Sequence, residues 1–147
     1  MIAKTLIGKT FPPYAVEVEK GRLRFFAKAI GETDPIFVDE GAAQAAGYRS
    51  LPLPPTFLFA MEIDRPDPLA WFAEVGMELP KVLHGEQSFT YHRQACAGDI
   101  LTFESRIVDV YDKKNGALDF IVKETRVIDQ AGNHVADLRS VIVQRNR

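Results

Sequence analysis

The amino-acid pattern changes character once, near residue 80, and that change limits the fold more than any other feature. Beyond it, His84–Arg93, Asp99–Tyr111, Ala117–Asp129 and His134–Gln144 are rich in Val, Ile, Phe, Thr and Tyr, the composition of strands. They are separated by Cys96-Ala-Gly98, Lys113-Lys-Asn-Gly116 and Asp129-Gln-Ala-Gly-Asn133. The last two supply Asn-Gly and Ala-Gly-Asn where a hairpin turn requires positive φ. In the second segment Leu101, Phe103 and Ile107 share a face, with Ser105 the polar exception. The alternation then slips by one residue at Val108 and Val110, the mark of a β-bulge.

Before residue 80 the pattern is helix and loop. Tyr14–Val18 alternates like a short strand. Leu23, Phe26, Ala27 and Ile30 recur at helical spacing until Gly31 stops them, and Asp39 is placed to cap a second helix, Glu40–Ala46, ended by Gly47. Leu51-Pro-Leu-Pro-Pro55 must be extended, because proline fixes φ and removes a donor. Pro55 then suits the start of a helix that Phe57, Leu58, Phe59, Met61 and Ile63 make apolar nearly all round, which predicts burial. Pro66 and Pro68 break it, and Leu69–Val75 reads as its continuation. Four antiparallel strands after one apolar helix predict an α+β fold in which a sheet curls around that helix.

At 147 residues, 46% hydrophobic and 26% charged, the chain has the size and composition of one ordinary domain, and no linker or repeat divides residues 1–147. The 18 basic and 20 acidic residues are dispersed, with no basic run to follow a phosphate backbone, so no nucleic-acid partner is expected. The one cysteine, Cys96, has no intramolecular partner, no Cys/His spacing suggests zinc, and neither a metal nor an organic cofactor is expected. The opening MIAKTLIGKTFPPY lacks the apolar core of a signal peptide, and no apolar stretch is long enough to span a bilayer. The expectation is therefore a cytoplasmic chain with no membrane partner.

Three motifs carry a resemblance. Phe26-Ala-x-Ala-x-Gly31-Glu32-x-Asp34-Pro35-Ile36, followed by Asp39, Ala42-Ala43 and Ala46-Gly47-Tyr48, resembles the hydratase motif of the MaoC-like hot-dog proteins. That family includes (R)-specific enoyl-CoA hydratases and 3-hydroxyacyl dehydratases. Pro54-Pro55-Thr56-Phe57 and Leu83-His84-Gly85-Glu86-Gln87-x-Phe89-x-Tyr91-His92-Arg93, with Ala97-Gly98-Asp99, are similar to its N-terminal dehydratase-type branch. The resemblance runs from about Gly8 to the C-terminus. It implies a hot-dog fold, an antiparallel sheet wrapped around a long central helix, here Pro55 to about Gly76. It also implies pairing of subunits into a continuous sheet, and substrates that are acyl thioesters of coenzyme A or acyl carrier protein.

Hydration of a 2-enoyl thioester needs a proton at the α-carbon, an activated water at the β-carbon, and donors facing the thioester oxygen. Active relatives use an aspartate and a histidine on the motif loop. By position these sites hold Glu32 and Phe37 here, and Asp34 stands where the family often has asparagine. Glutamate can act as a base but reaches further, and phenylalanine cannot transfer a proton. His84 is a candidate substitute, against the bland alternative of a hydrogen-bonded histidine at a strand start. Glu32 and Asp34 can equally be turn-forming and solvated. Asp34, Pro55, Thr56, Phe57 and Glu86 are candidate substrate contacts, with Phe57 also readable as core and Trp71 as either pocket lining or helix-end packing. His92 beside Arg93 reads as a surface or anion-side residue, and His134 as a solvated turn residue.

The expectation is an acyl-thioester-binding subunit of a 2-enoyl hydratase or 3-hydroxyacyl dehydratase lacking the full catalytic pair. It would form a homodimer, or a heteromer with a hot-dog subunit that supplies that pair. Three alternatives stay open: a self-sufficient hydratase using Glu32, a hot-dog acyl-CoA thioesterase, and a non-enzymatic acyl-CoA sensor.

Overall fold

The strands dictate the architecture. In a computed structural model that describes residues 1–146, β1 (Tyr14–Glu17), β2 (Val82–Tyr91), β3 (Ile100–Lys113), β4 (Leu118–Ile128) and β5 (His134–Arg145) form one sheet in the order β1-β3-β4-β5-β2. Every pairing is antiparallel. The β3–β4 turn carries positive φ at Lys114, Asn115 and Gly116. The expected bulge is present, with the β3–β4 register shifting between Ile107 and Asp109. Upstream of it Leu101, Phe103, Ser105 and Ile107 are buried, and beyond it Val110 takes over the inward face.

The helices are short: α1 (Lys20–Ala29), α2 (Glu40–Ala45), α3 (Phe57–Glu62) and α4 (Ala70–Glu74). Asp39 caps α2 by accepting from the Gly41 and Ala42 N–H groups. The expected continuous helix from Pro55 to about Gly76 is corrected. The chain instead makes two helices of six and five residues, separated by a stretch containing Pro66 and Pro68. A proline inside a helix removes a hydrogen bond and clashes with the preceding turn, so the apolar segment is split at that point.

The split divides the core. Leu58 and Met61 of α3 pack with Leu23, Leu51, Leu101, Phe103, Val127 and Leu138 in one cluster. Phe72 of α4 packs with Val75, Met77, Ile107, Val110, Ile121 and Ile142 in a second. The inner face of the curved sheet is thus covered by α3 at one end and α4 at the other. Among the described residues, no helix is long and apolar enough to cross a membrane.

Candidate functional site

The gap between α3 and α4 opens into a cavity of about 540 Å³. Phe59, Ile63, Leu69, Trp71 and Phe72 give it apolar walls, and His84 and Ile142 contribute from the sheet. The helix break therefore creates the void: a continuous helix would keep apolar side chains where the Ile63–Leu69 detour leaves space. At its floor Glu62, 4% exposed, faces the sheet. Glu62 Oε1 accepts from Lys123 Nζ at 2.8 Å, Thr125 Oγ1 at 2.6 Å and Ser105 Oγ at 3.4 Å. Lys123 Nζ also lies 5.3 Å from the centre of the Trp71 ring. Burying an ion pair is costly unless further hydrogen bonds satisfy it, and here two hydroxyls do so. The outcome is a cavity with greasy walls and one compact polar floor.

The motif analysis missed Glu62 and Lys123, although two signals were present. Glu62 is the single charge in an otherwise apolar helix, and Ser105 is the polar exception on the inward face of β3. Both polar interruptions point to the same spot.

His84 reaches the cavity by way of a second irregularity. The β2–β5 register shifts between His84 and Glu86, which places Gly85 at the bulge. A Cβ on Gly85 would lie 2.9 Å from Val143 Cγ2 and 3.1 Å from the Val141 carbonyl oxygen, so glycine is what permits this close approach. The His84 ring packs against Phe59 with centres 5.1 Å apart at a 47° tilt, and its Nε2 lies 3.0 Å from the Glu86 carbonyl oxygen. A carbonyl only accepts, so Nε2 carries the proton and Nδ1 is left as the basic nitrogen.

The motif loop is arranged differently. Gly31, at φ 72°, ends α1, and the Glu32 N–H closes on the Ala27 carbonyl at 2.9 Å. Glu32 Oε1 accepts from the Thr33 and Asp34 N–H groups, both at 2.9 Å, and Asp34 accepts from the Ile36 N–H at 3.1 Å. Both carboxylates are solvent-exposed, organise their own turn, and line neither this cavity nor the recess described next. Phe37 is half-buried on the same turn. Glu32 and His84 are thus not brought together around the cavity of this chain.

A second recess of about 390 Å³ lies at the start of α3, lined by Leu53, Pro55, Leu58, Tyr91, His92 and Arg93 among others. Tyr91 donates its hydroxyl to the Pro55 carbonyl, and burial raises the Tyr91 pKa. Pro55 is exposed there and Thr56 is exposed beside it in the chain without lining the recess, whereas Phe57, 5% exposed, packs on Phe26 at 4.9 Å in the core. Glu86 points into solvent from β2. Gly98-Asp99 is structural. Asp99 is 3% exposed, accepts from the Cys96 N–H at 2.9 Å and pairs with Arg49 at 2.9 Å, which raises the guanidinium pKa.

Residues 5–138 match the family described as FAS1-like, dehydratase domain region. The chain belongs to this family. It is 39% identical to a UPF0336 protein of Leifsonia xyli, over 95% of this chain and 93% of that one. It is 34% identical to a UPF0336 protein of Streptomyces avermitilis, over 97% of this chain and 94% of that one. Among solved structures, the truncated HadBC (3R-hydroxyacyl-ACP dehydratase) complex of Mycobacterium tuberculosis is similar, at TM-score 0.78 and 26% identity over 94% of this chain and 96% of that one. The ChsH1–ChsH2 complex of the same organism follows at TM-score 0.72 and 26% identity, over 92% and 88%. As a MaoC-like hot-dog dehydratase relative, the chain departs from the expected long central helix, and that departure is what shapes its cavity.

Proposed function

We propose that this chain is an acyl-thioester-binding subunit of a 2-enoyl hydratase or (3R)-hydroxyacyl dehydratase, acting in the cytoplasm on coenzyme A or acyl-carrier-protein thioesters. The observation that carries the reading is the apolar cavity at the α3–α4 break, in a chain whose motif loop holds Phe37 where proton transfer would be needed. The cavity offers apolar surface of the kind an acyl chain buries, at about 0.8 kcal/mol per methylene. The motif loop offers Glu32 alone, turned to its own backbone. A partner subunit supplies the Asp/His pair in this reading. The heteromeric nature of the HadBC and ChsH1–ChsH2 complexes supports that assembly. So does β2, an edge strand that presents Leu83 and Tyr91 at 50% and 48% exposure.

The test is an assay of the purified chain with 2-enoyl-CoA substrates, alone and mixed with a hot-dog subunit that has an intact Asp/His motif, alongside a direct acyl-CoA binding measurement. Binding without turnover, with activity restored in the mixture, is the expected result. Robust activity of the chain alone that collapses in Glu32→Gln would overturn it in favour of a self-sufficient hydratase.

A further inference from the structure

His92, His134 and Asp137 belong to neither the motif loop nor the large cavity, and no sequence spacing announces them: His92 and Asp137 are 45 residues apart. On a regular strand, residues three apart face opposite sides of the sheet, so His134 and Asp137 of β5 would diverge. They converge because of a bulge. Ala136 pairs with Val127 and His134 with Ile128, which leaves Val135 as an extra residue that resets the alternation. The Val135 carbonyl then accepts from both the His92 N–H at 2.8 Å and the Arg93 N–H at 3.1 Å, fixing the end of β2 beside the bulge. The expectation that His134 is a solvated turn residue is corrected accordingly.

The three side chains meet in one geometry. His92 Nε2 lies 2.7 Å from Asp137 Oδ2, His134 Nε2 lies 2.8 Å from Asp137 Oδ1, and the imidazole ring centres lie 4.2 Å apart at a 36° tilt. The three ligand-capable atoms all fall within 4.8 Å of one another. All three side chains are between 33% and 43% exposed, leaving a path for an ion.

We propose that His92, His134 and Asp137 form a binding site for a divalent transition ion of the zinc class. Two imidazole nitrogens and one carboxylate oxygen suit Zn²⁺, Co²⁺ or Ni²⁺, whereas Ca²⁺ and Mg²⁺ require an oxygen shell that this cluster lacks. Ligands held at about 2.0–2.1 Å around a tetrahedral ion lie about 3.3 Å apart, a spacing between the 2.7 and 2.8 Å of the hydrogen-bonded pairs and the 4.8 Å within which the three ligand atoms all fall. On binding, each imidazole coordinates through Nε2 and carries its proton on Nδ1. Three protein ligands leave a fourth position for water or a ligand oxygen. Because His92 also lines the recess beside Pro55 and Arg93, the ion borders that recess.

Tag-free, chelator-treated protein titrated with Co²⁺ should take up one ion per chain with a four-coordinate visible spectrum, and Zn²⁺ should displace it. His134→Gln and Asp137→Asn should each weaken Co²⁺ binding by about tenfold or more, with circular dichroism checking their fold. Cys96→Ala should bind as the wild type does. In the unmodified chain, paramagnetic Co²⁺ should broaden the imidazole resonances of His92 and His134 ahead of those of His84, a readout independent of any variant's folding. No cobalt spectrum at large excess, undiminished binding by His134→Gln, or loss of binding in Cys96→Ala would each overturn the proposal.

Discussion

Lys123 and Glu62 are joined by a 2.8 Å ion pair from the middle of β4 to the end of α3, with side chains only 13% and 4% exposed. Thr125 and Ser105 complete the shell on the carboxylate. Removing one member leaves the other charge at the cavity floor without its counter-ion. Lys123→Met should therefore destabilise the fold by roughly 3–5 kcal/mol, and the double variant Glu62→Leu/Lys123→Met should recover much of that loss. Denaturant unfolding of the two single variants and the double variant gives the coupling directly. Additive losses would show that the pair is not a unit.

Gly85 tests how His84 is aimed. Its hydrogen meets the Val141 backbone at the β2–β5 bulge, where an added methyl has no room. Gly85→Ala should cost about 1–3 kcal/mol, the usual range for overpacking. Amide exchange should rise along β2 before it rises in β3 or β4. Unchanged stability and exchange would mean that the bulge accommodates a side chain.

Trp71, the single tryptophan of the chain, lines the cavity, so its fluorescence should respond when an acyl-CoA binds. Ile63 lines the same cavity and is 43% exposed, so charging it disturbs the core little. Ile63→Asp should weaken acyl binding by about tenfold or more, since burying an Ile-sized apolar group is worth about 1.5–3 kcal/mol. Equal affinity for wild type and variant would place the acyl chain elsewhere.

Asp129 organises the β4–β5 turn. Its carboxylate accepts from the Asn133 side chain at 2.9 and 3.1 Å, and from the Asn133 and Ala131 N–H groups, both at 2.9 Å. These bonds hold its pKa below the ordinary 3.8 despite some desolvation. A depressed native pKa means that the contribution is fully present above 3.8 and is lost as the pH falls through the lower native value. Asp129→Asn should therefore flatten the decline of melting temperature on the acid side. Parallel acid profiles for the two proteins would contradict this.

Asp39→Ala should cost about 1 kcal/mol by uncapping α2. Thermal unfolding measures it, and a loss near zero would mean that water replaces the cap without penalty.

Strand composition, turn glycines and the slip at Val108 were enough to give the sheet and its bulge, because those signals are local and repeat along the chain. The cap at Asp39 and the stop at Gly31 were legible for the same reason. The motif loop identified the family, yet the side chains it singled out do not line the cavity. Of the residues that do, His84 and Trp71 were singled out in the sequence, whereas the polar floor showed only as exceptions, Glu62 in an apolar helix and Ser105 on an apolar face. Nothing in one dimension showed that these exceptions meet Lys123.

The sequence by itself determined the α+β hot-dog architecture, the register break on β3, and the family. The tertiary structure alone decided that the prolines after Ile63 open a cavity instead of ending a helix quietly, and that Val135 turns His134 toward Asp137. Periodicity encodes which face a residue presents within its own element. Which faces then confront each other depends on bulges and breaks that each shift the alternation by a single residue.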